Sequence, residues 1–435
     1  AFIERSLGQD KNSIIEPTTA DEVPVIETQA SEDALGIGRY ILRETPVPYS
    51  GFSMPGLTQA KHMCIVDDKS AGTDGIGHAL ARELEKNGIQ SQVVEDIPEN
   101  CDSLIFLGGL RKIANKQDAM DINREAFAAA KTIAAQLTAN GGVFVTAQDT
   151  GGDFGLSGQS GDRVWLSGLS GLIKTAGIEW TKASVKAIDI DCKNLSLKKI
   201  ASMICMELLT GGPELEVGLK SDGSRFRLRS YSKDAGQAGT MLDEKSVILA
   251  SGGARGITAK TIIQLARDVK PRLALIGRTG LDAEPPCCQG AETDAQIKTA
   301  LLNDATENGK SVTPMDLNKQ THKILSIREI KTNLEAIRQA GADVKYIVAD
   351  VQNKTDIQKA LQTIRKEWGS ITALVHGAGV LADKLIAEKS IEQFDRVFNT
   401  KVKGLEALLD ATAEDDLKVI CLFSSIAGRT GNMGQ

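Results

Sequence analysis

The chain has 435 residues, of which 41% are hydrophobic and 4% aromatic, and its net charge is −6. This length predicts two or more domains with aliphatic cores, and the absence of a long basic run argues against nucleic acid as the main partner. No apolar run reaches the roughly 18 residues that a transmembrane helix needs, so no transmembrane helix is expected. The seven cysteines form no CxxC pair and only four histidines are present, which indicates reduced thiols in a cytoplasmic protein and no metal site.

The first unit of the chain follows an acidic segment. Residues 1–35 lack apolar periodicity and are rich in Asp, Glu and Pro, so we predict a disordered linker. From residue 36 the pattern is globular, and residues 40–42 indicate an edge strand. The unit is predicted to span 36–240 and to end with a strand over 185–190 and a hairpin around residues 222–223.

An internal repeat organises the rest of the chain. The matching segments are 63–66 with 247–250, 70–77 with 251–258, and 104–110 with 374–380. Each copy alternates near-continuous apolar strands with helical patterns, which is typical of a parallel, doubly wound sheet. The predicted fold class is therefore α/β, with two tandem Rossmann-like doubly wound parallel sheets, the second over 241–435.

The second glycine loop, 251–258, has the pattern that a dinucleotide pyrophosphate needs. Its glycines let phosphate approach backbone N–H groups at a helix N-terminus, where the helix dipole favours negative charge. The loop follows a predicted strand and opens a predicted helix, which is the context that gives such a motif weight. The predicted cofactor contacts are Ser251, Gly252, Gly253, Arg255, Gly256 and Ile257.

Further turns complete the predicted cofactor site. Arg278 and Thr279 follow the next strand, where a cation instead of an acid accommodates a 2′-phosphate, so the predicted cofactor is NADPH. Asp350 and Val351 are expected near the adenine. The backbone expected beside the adenosine ribose is that of Gly377, Ala378 and Gly379.

The first glycine loop differs where phosphate would bind. Ala71 replaces the glycine that matches Gly252. Three aspartates, whose carboxylates repel phosphate, lie near this position: Asp67, Asp68 and Asp74. We therefore expect a degenerate, structural copy. The alternative is an NAD site, because Glu95 and Asp96 follow the second strand of this unit, where a ribose-binding acid belongs.

A long insertion is predicted over residues 281–341. Segments 295–308 and 325–339 show helical periodicity with mixed charge. The simpler interpretation is a helical excursion that decorates the fold. The alternative is a docking surface for a carrier or a neighbouring domain.

Five segments carry a resemblance to a known family: SGGARGIT at 251–258, GRT at 277–279, HGAGVLAD at 376–383, NTKVKG at 399–404 and FSSIAGRTGNMGQ at 423–435. They resemble the ketoreductase domain of modular polyketide synthases, most closely that of multidomain polyunsaturated-fatty-acid synthases, in the short-chain dehydrogenase/reductase superfamily. The resemblance covers residues 36–435 and includes the duplication, because this family pairs a structural half with a catalytic half. Thr258 departs from the family's third glycine.

The resemblance implies roles for individual residues. Ser425 would hydrogen-bond the substrate carbonyl, with Ser424 as the competing serine. Lys401 would bind the cofactor ribose and lower the pKa of a catalytic tyrosine. That tyrosine is expected thirteen residues after Ser425, at position 438, so residues 1–435 alone should not catalyse the reaction.

The resemblance also implies a reaction and partners. The activity is NADPH-dependent reduction of a carrier-bound 3-ketoacyl thioester to the 3-hydroxyacyl thioester. Asp383 matches an aspartate that accompanies a 3R alcohol in this family. The implied partners are acyl carrier protein domains and neighbouring synthase domains. The alternative, from another class, is a non-catalytic scaffold in which both units only hold neighbouring domains.

Overall fold

The protein is described from a computed structural model. The structure describes residues 38–67, 75–234 and 241–435. The predicted linker over 1–35 and most of the first glycine loop, with Asp68, Ala71 and Asp74, lie outside these residues. Among the helices described, none combines the length and the apolarity needed to cross a bilayer.

The first half of the chain forms one mixed sheet. In the described residues its strands are β1 (Tyr40–Pro46), β2 (Met63–Val66), β3 (Ser91–Val94), β4 (Ser103–Gly109), β5 (Gly142–Gln148), β6 (Ala183–Ile190), β7 (Glu216–Leu219) and β8 (Arg225–Ser232), in the order β1-β8-β7-β6-β5-β4-β2-β3. Strands β2 to β7 are parallel, whereas β8 pairs antiparallel with β7 and with β1. The predicted edge strand and hairpin are confirmed. The hairpin makes this sheet mixed, because the short turn after β7 can only return the chain antiparallel.

Helices cover both faces of the first sheet. Those described are α1 (Ile76–Lys86), α2 (Lys116–Asn140), α3 (Gly168–Glu179) and α4 (Leu197–Thr210). One apolar core joins α1 and α4 to one face, and a second joins α2 and α3 to the other. Every residue of β4 is buried as a result. This is the doubly wound arrangement that the continuous apolar strands predict.

The second half forms a parallel sheet. In the described residues its strands are β9 (Val247–Ser251), β10 (Arg272–Gly277), β11 (Asp343–Val348), β12 (Ala373–His376) and β13 (Val419–Leu422), in the order β11-β10-β9-β12-β13. Its helices are α5 (Gly256–Val269), α6 (Asp294–Glu307), α7 (Pro314–Gln339), α8 (Lys354–Trp368), α9 (Ile391–Phe398), α10 (Gly404–Ala411) and α11 (Ala427–Thr430). A π-helical turn, Asn399–Lys403, joins α9 to α10.

The two sheets differ in strand order. In the second sheet, β11 follows β10 in the chain and forms the edge of the sheet next to it. In the described residues of the first sheet, no strand corresponds to β11, and β3 is the edge strand. The chain of the first half passes from β3 directly to β4, which pairs with β2 as β12 pairs with β9. The predicted match between 104–110 and 374–380 is therefore confirmed by the position of both strands.

The insertion is built differently from the prediction. Helix α7 begins at Pro314 instead of 325, because the Thr313 side chain accepts the N–H of Asp316 and the Asp316 carboxylate returns to the N–H of Thr313. Sequence periodicity alone missed this capping box.

The C-terminal half of α7 belongs to the core of the second half. Ile330, Leu334 and Ile337 are buried in the apolar cluster beneath β9 and β10. This part of α7 is the crossover from β10 to β11, so interpreting the whole insertion as decoration is wrong. A separate small core, with Cys288 and Ile297 among its members, joins α6 to the start of α7.

Candidate functional site

The carboxyl ends of the second sheet's strands meet at one edge. Ser251 pairs with His376 across β9 and β12, and His376 pairs with Leu422 across β12 and β13. The strand order reverses between β9 and β12, which is where open α/β sheets bind ligands. The edge brings together the glycine loop, the turn at 377–379 and the segment that contains Ser425.

The glycine loop lies directly against the turn after β12. Gly252 has φ +68°, and a Cβ there would lie 2.7 Å from the backbone of Gly377 and Ala378. A Cβ on Gly377 would in turn lie 2.4 Å from the Thr258 hydroxyl. Gly377 therefore provides the space that Thr258 fills in place of the family's third glycine, and the loop can approach a ligand with its backbone.

The N-terminus of α5 faces solvent and an acidic side chain. Gly256 begins the helix with φ +59°, and the Ile257 side chain is 76% exposed. Glu329 of α7 accepts hydrogen bonds from the N–H of Gly256 at 2.9 Å and from Nε of Arg255 at 2.8 Å. Glu329 lies outside every motif recognised in the sequence, so its contact with the loop was not predicted.

The predicted 2′-phosphate residues lie at the end of β10. The Arg278 side chain is exposed, and among the described residues no hydrogen bond or ion pair holds it. The Thr279 carbonyl accepts a hydrogen bond from the Tyr346 hydroxyl at 2.9 Å, which ties this turn to β11. A free guanidinium on a fixed turn is suited to contact an incoming phosphate.

The residues predicted near the adenine have unlike environments. Asp350 is partly exposed, and its carboxylate accepts the N–H of Gln352 at 3.0 Å. Val351 is buried, and a Cβ on Gly404 would lie 2.2 Å from its methyl group. Val351 therefore packs α10 against this loop.

His376 links the glycine loop to the π-helical turn. Its Nε2 faces the Lys401 carbonyl at 3.0 Å, and because a carbonyl only accepts, Nε2 donates. Its Nδ1 then accepts from the Ser251 hydroxyl at 2.7 Å. Burial lowers the pKa of His376 to about 4, so the ring is neutral at pH 7. Ser251 is fully buried, so its hydroxyl bonds to His376 and holds the start of the glycine loop.

Lys401 reaches the turn at 377–379. A Cβ on Gly379 would lie 3.1 Å from the Lys401 Nζ, so the ammonium group lies beside the turn predicted to meet the ribose. Burial lowers the pKa of Lys401. The residue lies within the π-helical turn, a local distortion that is frequent at functional sites.

Ser425 follows β13 and is exposed. It lies three residues beyond the end of the strand, and its Oγ accepts the N–H of Ala427 at 3.1 Å. The neighbouring Ser424 is also exposed, so exposure does not decide between them. Asp383 is exposed on the loop after β12.

One carboxylate of the first half holds the two segments that flank the site. Glu179, at the end of α3, accepts the N–H of Ile386 at 2.8 Å and that of Gly434 at 2.9 Å. Ile386 follows Asp383 by three residues, and Gly434 lies in the segment after Ser425. The first half therefore fixes both loops.

Further contacts join the halves. Glu216 of β7 pairs with Lys174 at 2.6 Å and also binds Arg429 of α11. On α2 and α9, Phe127 stacks on Phe394 with ring centroids 4.6 Å apart. The two halves therefore pack directly on each other around the site.

The first half has its own carboxylate at the start of α1. Asp67 follows β2 directly, is 9% exposed, and accepts the N–H of Gly77 at 2.5 Å. This buried carboxylate occupies an N–H group of the helix N-terminus that a phosphate would need. The contact supports a structural role for this copy. Glu95 and Asp96 of the alternative NAD site are exposed after β3.

Residues 246–435 match the family model of the KR domain. One of the subunits of the polyunsaturated fatty acid synthase of Thraustochytrium sp. is 30% identical over 384 residues, which cover 84% of this chain and 14% of that protein. Polyketide synthase PksN of Bacillus subtilis is 24% identical over 277 residues, which cover 63% of this chain and 4% of that protein. The chain therefore spans only a small part of the length of these relatives.

The fold is similar to that of solved ketoreductases. The ketoreductase from the first module of phoslactomycin biosynthesis in Streptomyces sp. HK803 has a TM-score of 0.60 at 19% identity, over 92% of this chain and 75% of that one. This likeness includes both Rossmann-like halves and concerns the fold. The KR domain model thus matches the second half of the chain, residues 246–435, and the two relatives described above are a polyunsaturated-fatty-acid synthase subunit and a polyketide synthase.

Proposed function

We propose that the chain is the NADPH-dependent reductase region of a multidomain synthase. Its substrate is a 3-ketoacyl thioester carried by an acyl carrier protein domain, and its product is the 3-hydroxyacyl thioester. The partners are that carrier and the neighbouring synthase domains, in the cytoplasm. The relatives are a polyunsaturated-fatty-acid synthase subunit and a polyketide synthase, and both are many times longer than this chain, which supports this assignment.

One observation carries the proposal: a free cation and a half-buried lysine flank a glycine loop at the switch point of the second sheet. Arg278 lies at the end of β10, and the Lys401 ammonium lies beside Gly379. Gly252 packs too closely against the turn after β12 for any side chain, so the loop backbone is not covered by one at this position. These residues fit a dinucleotide with a 2′-phosphate.

The residues of the site divide the work of ketone reduction. NADPH, when bound, supplies the hydride. Lys401 holds the ribose of the cofactor, and the Ser425 hydroxyl donates a hydrogen bond to the ketone oxygen as charge develops there. The proton donor is the tyrosine expected at position 438. Asp383, on the loop that Glu179 fixes, favours the 3R alcohol.

Binding of NADPH tests the cofactor assignment. For Arg278→Ala we expect about tenfold to a hundredfold weaker NADPH binding, because a hydrogen bond to a charged group contributes about 1.5–3 kcal/mol. Binding of NADH, which lacks the 2′-phosphate, should not change. Fluorescence titration measures both, and Arg267→Ala, an exposed arginine at the far end of α5, is the control. Unchanged NADPH binding in Arg278→Ala would refute the assignment.

Turnover tests the reaction. A chain that continues past position 438 should oxidise NADPH in the presence of a 3-ketoacyl thioester, whereas residues 1–435 should bind NADPH without turnover. A well-folded longer chain that binds NADPH but leaves the thioester unreduced would favour the scaffold alternative. The configuration of the alcohol, determined by chiral chromatography, tests the 3R assignment.

A further inference from the structure

Helix α7 contacts the glycine loop with two side chains. Glu329 binds Gly256 and Arg255, and one helical turn later the Asn333 amide donates to the Ala254 carbonyl at 3.0 Å. Residues four apart share a helix face, so α7 presents one polar face to the loop. The insertion therefore reaches the part of the protein to which we assign cofactor phosphate binding.

The backbone of Glu329 is held in place by its helix, whereas its carboxylate is partly exposed. Ile330 and Leu334 anchor this part of α7 in the core of the second half. The Glu329 side chain is nevertheless 40% exposed, and that of Arg255 is 50% exposed. A rigid helix thus delivers the carboxylate, while the side chain retains room to rotate into solvent.

The carboxylate makes the contacts that a phosphate oxygen would make. A helix N-terminus favours an anion through its free N–H groups and its dipole. Glu329 takes the N–H of the first residue of α5 and pairs with the neighbouring guanidinium. Although burial opposes ionisation, the hydrogen bonds from Gly256 and Arg255 lower the pKa of Glu329, which is therefore anionic at neutral pH.

We propose that Glu329 sets the affinity of the cofactor site, as a carboxylate on the insertion that competes with the cofactor's phosphates for the Gly256 N–H and for Arg255. The inference rests on the proposed function, because it assumes that the loop binds NADPH. It assigns the α6–α7 insertion a role at the site: NADPH binding displaces Glu329 and frees this face of α7.

The charge-neutral variant Glu329→Gln tests the competition. Because one repelling charge near phosphate contributes on the order of 1 kcal/mol at an exposed site, we expect NADPH to bind about fivefold to tenfold more tightly. The difference from the wild-type chain should shrink as salt is added, since exposed charges are screened. Fluorescence titration at low and high salt measures both effects, and thermal melting checks that the variant is folded.

Glu335→Gln is the matched control. Glu335 lies on the same helix, is 58% exposed, and interacts with Arg338 and Gln339 instead of the loop. Its loss should leave the Kd for NADPH within about twofold of the wild-type value, because a distant exposed charge contributes little.

Each outcome decides a different claim. Tighter binding by Glu329→Gln, lost at high salt, supports the competition. Equal binding overturns it, and weaker binding overturns it too, because Glu329 would then be a support for Arg255. If wild type, Glu329→Gln and Glu335→Gln all fail to bind NADPH, the proposed function itself falls and this inference falls with it.

Discussion

The last paired residues of two adjoining strands differ between the two halves. In the first half Val66 lies opposite Phe106, both buried, and in the second half Ser251 lies opposite His376. The apolar pair packs in the core of the first half. The polar pair joins the glycine loop to the turn that carries Lys401. The two strand ends therefore contribute only packing in the first half, whereas in the second half they contribute hydrogen bonds to the candidate site.

The residues that follow Val66 and Ser251 also differ between the two halves. Asp67 comes after Val66 and binds the start of α1 from a buried position, whereas Gly252 comes after Ser251 and leaves the backbone bare. The carboxylate at the start of α5 comes instead from Glu329, an exposed side chain on another helix. We therefore expect Asp67, a carboxylate held within its own loop, to exclude an anion, whereas Glu329 lies on a separate helix and is proposed to be displaced.

The largest effect is expected from the buried charges of the first half. Glu207 pairs with Lys186 and with Arg225, each at 2.6 Å, and all three are buried. Glu207→Gln leaves two buried cations without a counter-charge, which should lower the free energy of unfolding by about 3–5 kcal/mol. Urea unfolding measures this loss.

A partly exposed pair is the control for Glu207. Glu214→Gln, which breaks the contact with Arg227, should cost at most about 1 kcal/mol. Similar losses in both variants would contradict the larger contribution expected of the buried charges. NADPH binding that fails while Glu207→Gln is still folded would show that this half does more than support the second.

The polar pair of the second half should make stability depend on pH. The pKa of His376 is about 4 in the fold and 6.5 in the unfolded chain, so between these values only the unfolded chain takes up the proton. Stability is therefore lost as the pH falls from about 6.5 to about 4, by on the order of 3 kcal/mol. In His376→Gln this contribution should vanish, while the amide can still donate to the Lys401 carbonyl. Urea unfolding across this pH range measures it.

Carboxylates also titrate in this window, so the informative quantity is the difference between variants. His322→Gln, at an exposed histidine of α7, should keep the wild-type slope. If His376→Gln keeps that slope as well, His376 does not stay neutral in the fold and the assigned hydrogen bonds are wrong.

The smallest expected effect concerns the first loop. Asp67→Asn keeps the size of the side chain but removes a charge-assisted hydrogen bond at the start of α1, which should cost about 1 kcal/mol in thermal unfolding. The stoichiometry should stay at one NADPH per chain in both proteins. A second equivalent bound by the wild-type chain would break the contrast between the two loops.

Much of the fold could be predicted because its signals are local. Strands buried on both faces appear as continuous apolar runs, and the glycines of the second loop mark places where a Cβ would meet the neighbouring backbone, as at Gly252. The start of α7 was equally available, since Thr313-Pro314 followed by Asp316 is a capping sequence. Helical periodicity outweighed this shorter signal in the prediction.

The remaining features depend on tertiary packing. Glu329 is 73 residues from Gly256 in the chain, and only the docking of α7 under the sheet brings them together. The motif that contains His376 could be recognised, but its bond to Ser251 depends on the register between β9 and β12. The mixed strand order of the first sheet depends likewise on which strands become neighbours.

The contact of Glu179 with Ile386 and Gly434 bears on how synthases could be recombined. A chimera joined near residue 240 would bring residues 241–435 without the acceptor for these two N–H groups, and it would uncover Phe394, which stacks on Phe127. The exchangeable unit is thus the pair of halves. Matching surfaces between α2, α3 and the incoming loops, more than the glycine loop itself, would decide whether a transplanted reductase keeps its shape.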